Sequence, residues 1–128
     1  MNIVRNPNTV APPFGKYSHS IEVPAAARTL YVAGQVGVMP DGKMAEGVDA
    51  QCQWAWKNLI AILKDAGMGI EDVVKINIYL TNPDHVAAFR KARDLFIGDN
   101  RPAATLAVIS RLAGPDWLVE IEAVAARA

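Results

Sequence analysis

At 128 residues the chain can build one hydrophobic core but not two of stable size, which predicts a single domain over residues 1–128. With 52% hydrophobic and 20% charged residues it lies outside the low-hydrophobicity, high-charge range of disordered chains. Thirteen basic and thirteen acidic side chains give a formal net charge of zero, so no broad field attracts nucleic acid or anionic lipid, and neither is expected as a partner.

The first residues, 1–10, lack the apolar centre of a secretory signal, and no stretch approaches the roughly 20 apolar residues of a membrane span. After this Asn- and Pro-rich start, residues 17–23 place Tyr17, His19, Ile21 and Val23 on one side of an extended segment, which predicts a strand. Residues 24–28 read as a turn, 29–36 as a second β-rich run that pairs with the first, and Pro40, Asp41 and Gly42 as another turn.

From 49 to 66 the residues Cys52, Ala55, Trp56, Leu59, Ile62, Leu63 and Ala66 follow the i, i+3, i+4, i+7 stripe of an amphipathic helix, with Gly67 suited to the position after its end. Cys52 is the only cysteine, so no internal disulfide can form, and its place in the stripe makes it a buried structural thiol in a reducing, cytoplasmic setting. Residues 73–80 alternate, with Val74, Ile76, Ile78 and Leu80 on one face and Lys75 and Asn77 on the other, the pattern of a half-buried strand. Asn82 and Pro83 form a helix start, and Val86, Phe89 and Phe96 carry helical spacing to Gly98. Residues 104–112 and 117–125 are β-rich and flank a turn at Ala113, Gly114, Pro115 and Asp116, which predicts a hairpin. The order ββαβαββ indicates an α+β fold, one sheet with two helices packed on one face. The other face then needs cover, which a second subunit could supply.

Several segments match one family in order and spacing: Gly15, Lys16, Tyr17 and Ser18; Ala33, Gly34 and Gln35; Asn58 and Leu59 through Ala66 and Gly67; Val73 to Lys75; Arg101, Pro102 and Ala103; and Val119 to Glu122. Together, from about Pro12 to Ala125, they resemble the Rid family of YjgF/RidA type. The resemblance implies a chorismate-mutase-like fold with one mixed sheet, a homotrimer with ligand clefts between subunits, and hydrolysis of reactive 2-imino or enamine acids to 2-keto acids and ammonia. It implies no metal and no organic cofactor.

Hydrolysing an imine requires a fixed substrate, a water aimed at the C=N carbon and a group that moves protons. In the family an arginine after Pro-Ala forks onto the substrate carboxylate, as guanidinium geometry favours. Here that position is Ala104, which offers no cation. The candidates to replace it are Arg90, Arg93 and Arg101, with Arg90 preferred because it aligns with a position that is often asparagine in the family. Against this, Arg90 stands at i, i+4 from Asp94, the arrangement of a solvated helix charge.

Glu120 matches an acidic residue near the family's cleft and is the candidate to shuttle protons or orient water. Tyr17 matches the tyrosine at the cleft mouth, and Gly34 would let backbone approach the ligand closely. Ala33 replaces a serine of typical imine deaminases, which makes the pocket less polar. His19 and His85 belong to separate elements without metal-ligand spacing, and His19 reads as an ordinary histidine more readily than as a cleft base.

Two functions follow. One is a Rid-type hydrolase of imine, enamine or related C–N metabolites with an altered substrate. The other is a non-catalytic trimer of the same fold that binds a small metabolite or partner. Ribonuclease activity, attached to parts of the family, finds no basic patch to support it.

Overall fold

The apolar stripe of residues 49–66 is a helix in the computed structural model, α1 (Val48–Asp65), and it buries Cys52, Ala55, Trp56, Leu59 and Leu63. The structure describes residues 1–128. A Schellman motif ends the helix: Gly67, at φ 71°, donates to the Lys64 carbonyl at 3.0 Å and Met68 donates to the Leu63 carbonyl at 2.9 Å. Met68 and Leu63 are both core residues, so the chain reversal is anchored by the apolar contact that accompanies this cap.

Before α1 come β1 (Ile3–Arg5), β2 (Ser20–Glu22) and β3 (Arg28–Val36), and after it β4 (Val73–Leu80), α2 (Val86–Phe96), β5 (Ala103–Val108) and β6 (Val119–Arg127). In β4 the alternation holds: Val74, Ile76, Ile78 and Leu80 are buried, and Lys75, Asn77 and Tyr79 are half-buried on the other face. The second helix is entered through a 3₁₀ turn, Pro83–His85, in which the Asn82 side chain accepts the Asp84 N–H at 2.9 Å.

Strands β3, β6, β4 and β5 form the main sheet in that spatial order, with β4–β5 parallel and the β6 pairings antiparallel. Because β6 runs opposite to both neighbours, β3 is parallel to β4, so β3–α1–β4 and β4–α2–β5 are successive crossovers moving the same way across the sheet. Parallel crossovers have one preferred hand, and two of them in the same direction put both helices on one face. There Val119, Ile121, Ala123 and Ala125 of β6 join the inward side chains of β4, the α1 stripe, Phe89 and Ala92 in one core.

Two expected strand pairings are replaced by others. The first strand is shorter than residues 17–23 and pairs with β1, in the segment read as irregular, while β3 pairs with β6. Likewise β5 and β6 form no hairpin: β5 stops at Val108, and the connection carrying the 113–116 turn takes the chain past β4 to the slot between β3 and β4. Alternation sets which side chains face the core but does not choose a strand's neighbour. Buried Gln51 ties this connection to α1, donating to the Asp116 carbonyl at 3.0 Å and accepting the Leu118 N–H at 2.9 Å. No helix is long and apolar enough to cross a membrane.

Candidate functional site

Strand β5 is an edge strand, and between it and α2 lies a cavity of about 260 Å³. Ile76 and Ile78 of β4, Phe89 of α2 and Trp56 of α1 wall it, with Ala104 and Leu106 along β5. Parallel pairing sets Ala104 beside Ile76 and Leu106 beside Ile78, so these four side chains share the helix-covered face of the sheet.

Tyr17 reaches this cavity because the chain before β2 is strapped to the start of β5. Buried Ser18 donates its N–H to the Pro102 carbonyl at 3.0 Å and its hydroxyl to the Arg101 carbonyl. The Tyr17 hydroxyl accepts the Phe14 N–H at 3.2 Å, and its ring meets the His19 ring edge-on at 6.2 Å between centroids. The tyrosine, with Lys16 beside it, thus forms part of the lining.

Three cations border the cavity, Lys16, Arg90 and Arg93. Two are already paired: Arg93 Nη2 and Lys16 Nζ lie 3.1 and 3.0 Å from the same oxygen, Asp94 Oδ1. The Lys16 hydrogen bond holds the Asp94 carboxyl below its ordinary pKa; burial opposes it, and the Arg93 hydrogen bond adds a lesser lowering. Arg90 is exposed and takes no part in the ion pairs, so the i, i+4 acid expected to neutralise it is committed elsewhere. Arg101 does not line the cavity; its Nη1 donates to the Gly98 and Asn100 carbonyls, both at 2.8 Å.

The remaining predicted residues lie on the opposite sheet face, toward the other edge. Glu120 projects from β6 over Gly34 of β3, where a bulge interrupts the pairing, and a Cβ at Gly34 would fall 1.9 Å from Glu120 Oε2. Ala33 lines a shallow concavity of about 480 Å³ with Tyr31, Lys75, Asn77 and Glu122. Glu122 is occupied there, its Oε1 accepting from Asn77 Nδ2 at 3.0 Å and Tyr79 Oη at 2.8 Å. That hydrogen bond, followed by burial and nearby carboxylate charge, raises the Tyr79 pKa.

Within one chain, then, Tyr17, Arg90 and Ala104 gather at one edge, while Ala33, Gly34 and Glu120 gather on the reverse face near the other. His19 is held in the N-terminal segment, its Nε2 2.7 Å from the Ala11 carbonyl. Burial pushes the Cys52 thiol up to about 12, with the Asp49 charge adding to the effect, which leaves no nucleophilic thiolate at neutral pH. Sequence reasoning passed over Lys16 and Trp56. The helical stripe marks Trp56 as inward-facing, but only the placement of β5 makes it a cavity wall.

The sequence matches the family described as Endoribonuclease L-PSP over residues 8–127. It is 34% identical over 115 residues to a RutC family protein of Pyrococcus abyssi, covering 88% of this chain and 87% of that one. It is 29% identical over 114 residues to the 2-iminobutanoate/2-iminopropanoate deaminase of Dermatophagoides farinae, covering 88% and 86%. Among solved structures, a protein of the conserved Rid family from Yersinia pestis superposes with a TM-score of 0.85 at 35% identity, covering 97% of each chain.

Proposed function

The chain belongs to the Endoribonuclease L-PSP family, the group its relatives call RutC or Rid, and from that premise we propose that it hydrolyses imines or enamines of amino-acid type in clefts between the subunits of a homotrimer. The observation that carries this reading is Arg90, an unpaired cation on the wall of the cavity beside Ala104. A guanidinium there can take a substrate carboxylate through charge-assisted hydrogen bonds worth about 1.5–3 kcal/mol each, replacing the grip that Ala104 cannot provide. The relative named as a deaminase of 2-iminobutanoate and 2-iminopropanoate supports the reaction class.

The separation of the two residue groups supports a cleft shared between subunits. Tyr17, Arg90 and Ala104 from one copy and Gly34 and Glu120 from its neighbour would enclose one ligand, and the same docking would cover the open sheet face with its exposed Tyr31.

In the proposed step Glu120 accepts a proton from water as the water oxygen bonds to the iminium carbon. Glu120 then returns a proton to nitrogen, the C–N bond breaks, and R–C(=NH₂⁺)–COO⁻ plus H₂O becomes R–CO–COO⁻ plus NH₄⁺. The neutral charge balance disfavours RNA cleavage as the activity.

The test is keto-acid release from imines generated in place by an amino-acid oxidase. Rate acceleration is expected, with Arg90→Ala raising KM and Glu120→Gln lowering kcat about 10²-fold or more. No acceleration over buffer for any imine would overturn the reading. Light scattering should give three times the 13.8 kDa chain mass.

A further inference from the structure

We propose that the substrate taken beside Ala104 is an imino acid with a second carboxylate at the end of its side chain, which Lys16 and Arg93 receive while Arg90 holds the first. The inference rests on the reading above, in which Arg90 replaces the missing carboxylate grip, and it extends that reading to the substrate's side chain.

The first observation is a local surplus of charge. The chain as a whole is neutral, yet Lys16, Arg90 and Arg93 border this cavity and no acidic side chain does. Asp94 is the one carboxylate paired with any of the three, so two positive charges are left over. Glu120 of the neighbouring copy, which the shared cleft brings in, reduces the surplus to one. An iminium with a single carboxylate has no net charge and leaves that surplus standing. A second carboxylate on the substrate cancels it.

Geometry says where that carboxylate goes. Lys16 Nζ and Arg93 Nη2 close on one oxygen, Asp94 Oδ1, at 3.0 and 3.1 Å, with Arg93 Nε at 3.2 Å. The two cations thus already converge on a carboxylate, and donors remain: an ammonium has three, and Arg93 Nη1 takes part in no hydrogen bond of the structure. Fastening the residues before β2 to α2 needs only Lys16 and Asp94; Arg93 is the surplus cation, and its side chain is only 18% exposed, which keeps its charge from full solvent screening. Arg90 and Arg93 stand at i, i+3 on α2, with Cβ atoms about 5–6 Å apart on one side of the helix. A five-carbon dicarboxylic imine sets its two carboxylates at a comparable separation. Asp94 then limits the site, because it occupies donors and repels the incoming charge.

The experiment compares kcat/KM for imines generated from glutamate and from norvaline, which share a five-carbon chain and differ in ending with a carboxylate or a methyl group. The glutamate-to-norvaline ratio should be about fivefold or more, the upper value of a partly exposed ion pair. Lys16→Gln and Arg93→Gln should each bring the ratio toward one, and Asp94→Asn should raise it. A ratio taken within one variant cancels any general loss from a loosened segment or helix. A wild-type ratio of one or less, or a ratio that neither cation variant lowers, overturns the proposal. If no imine is accelerated, hydrolysis itself has failed, and binding of the stable 2-oxo acids at fixed ionic strength decides the selectivity. 2-Oxoglutarate should then raise the melting temperature more than 2-oxopentanoate, and Arg93→Gln should remove the difference. Equal, absent or reversed shifts overturn the proposal.

Discussion

Gly34 and Gly37 stand close together on one stretch of chain, and neither has a positive φ, so alanine at either site acts through contact alone. A Cβ at Gly34 would fall 1.9 Å from Glu120 Oε2, whereas one at Gly37 would fall 2.4 Å from Gln51 Cα in the backbone of α1. The first obstacle is the end of a flexible side chain, which can swing aside for about 0.5–1.5 kcal/mol of rotamer cost. The second is a helix packed on the sheet, and forcing it away costs about 1–3 kcal/mol, or roughly 4–12 °C in melting temperature for a chain of this size.

Gly34→Ala should therefore melt within a few degrees of wild type yet lose about 10²-fold in kcat, because an ångström of misplacement in a proton-transfer group is enough for that loss. Gly37→Ala should melt several degrees lower and keep its activity per folded molecule. Calorimetry and the imine-hydrolysis assay separate the two effects. Combining Gly34→Ala with Glu120→Gln should be no worse than Glu120→Gln alone if the glycine acts through that carboxylate. Wild-type turnover in Gly34→Ala would refute the assignment of Glu120 to the reaction, and an unchanged melting point in Gly37→Ala would refute the tight α1 contact.

Replacing Gln51 with alanine leaves the Asp116 carbonyl and the Leu118 N–H without their side-chain partner; urea denaturation should show a loss of about 1–3 kcal/mol, and a loss under about 0.5 kcal/mol would show that the β5–β6 connection is held by other contacts. The Cys52 thiol, pushed up from 9.0 to about 12, favours the protonated form in the folded state. Its contribution to stability is complete below pH 9 and is lost as pH rises toward 12, so urea midpoints of wild type should fall toward those of Cys52→Ala across that window, and an unchanged gap would contradict it. The same burial predicts that a thiol reagent at pH 8 labels Cys52 only after denaturant is added.

By itself the sequence determined the local elements and the faces they bury. The stripe through Cys52, Trp56, Leu59 and Leu63, the alternation from Val74 to Leu80 and the Asn82–Pro83 start each depend on neighbours a few residues apart, and each is present in the structure. Strand partners were a different matter. Residues 103–108 and 119–127 could be recognised as β-rich, but the insertion of β6 between β3 and β4 is decided by how four strands and two helices share a core, and alternation carries no information about that. The site divides the same way. Tyr17, Arg90 and Ala104 could be named from their positions, yet the pairing of Asp94 with Lys16 and Arg93, which leaves Arg90 free, depends on a segment strapped across the sheet edge. Arg101 lies just beyond Gly98, where the chain turns through φ 57°, and nearby carbonyls engage its guanidinium. Which donors are spent and which stay available depends on contacts between residues distant in the chain, and those contacts exist only once the tertiary structure has formed.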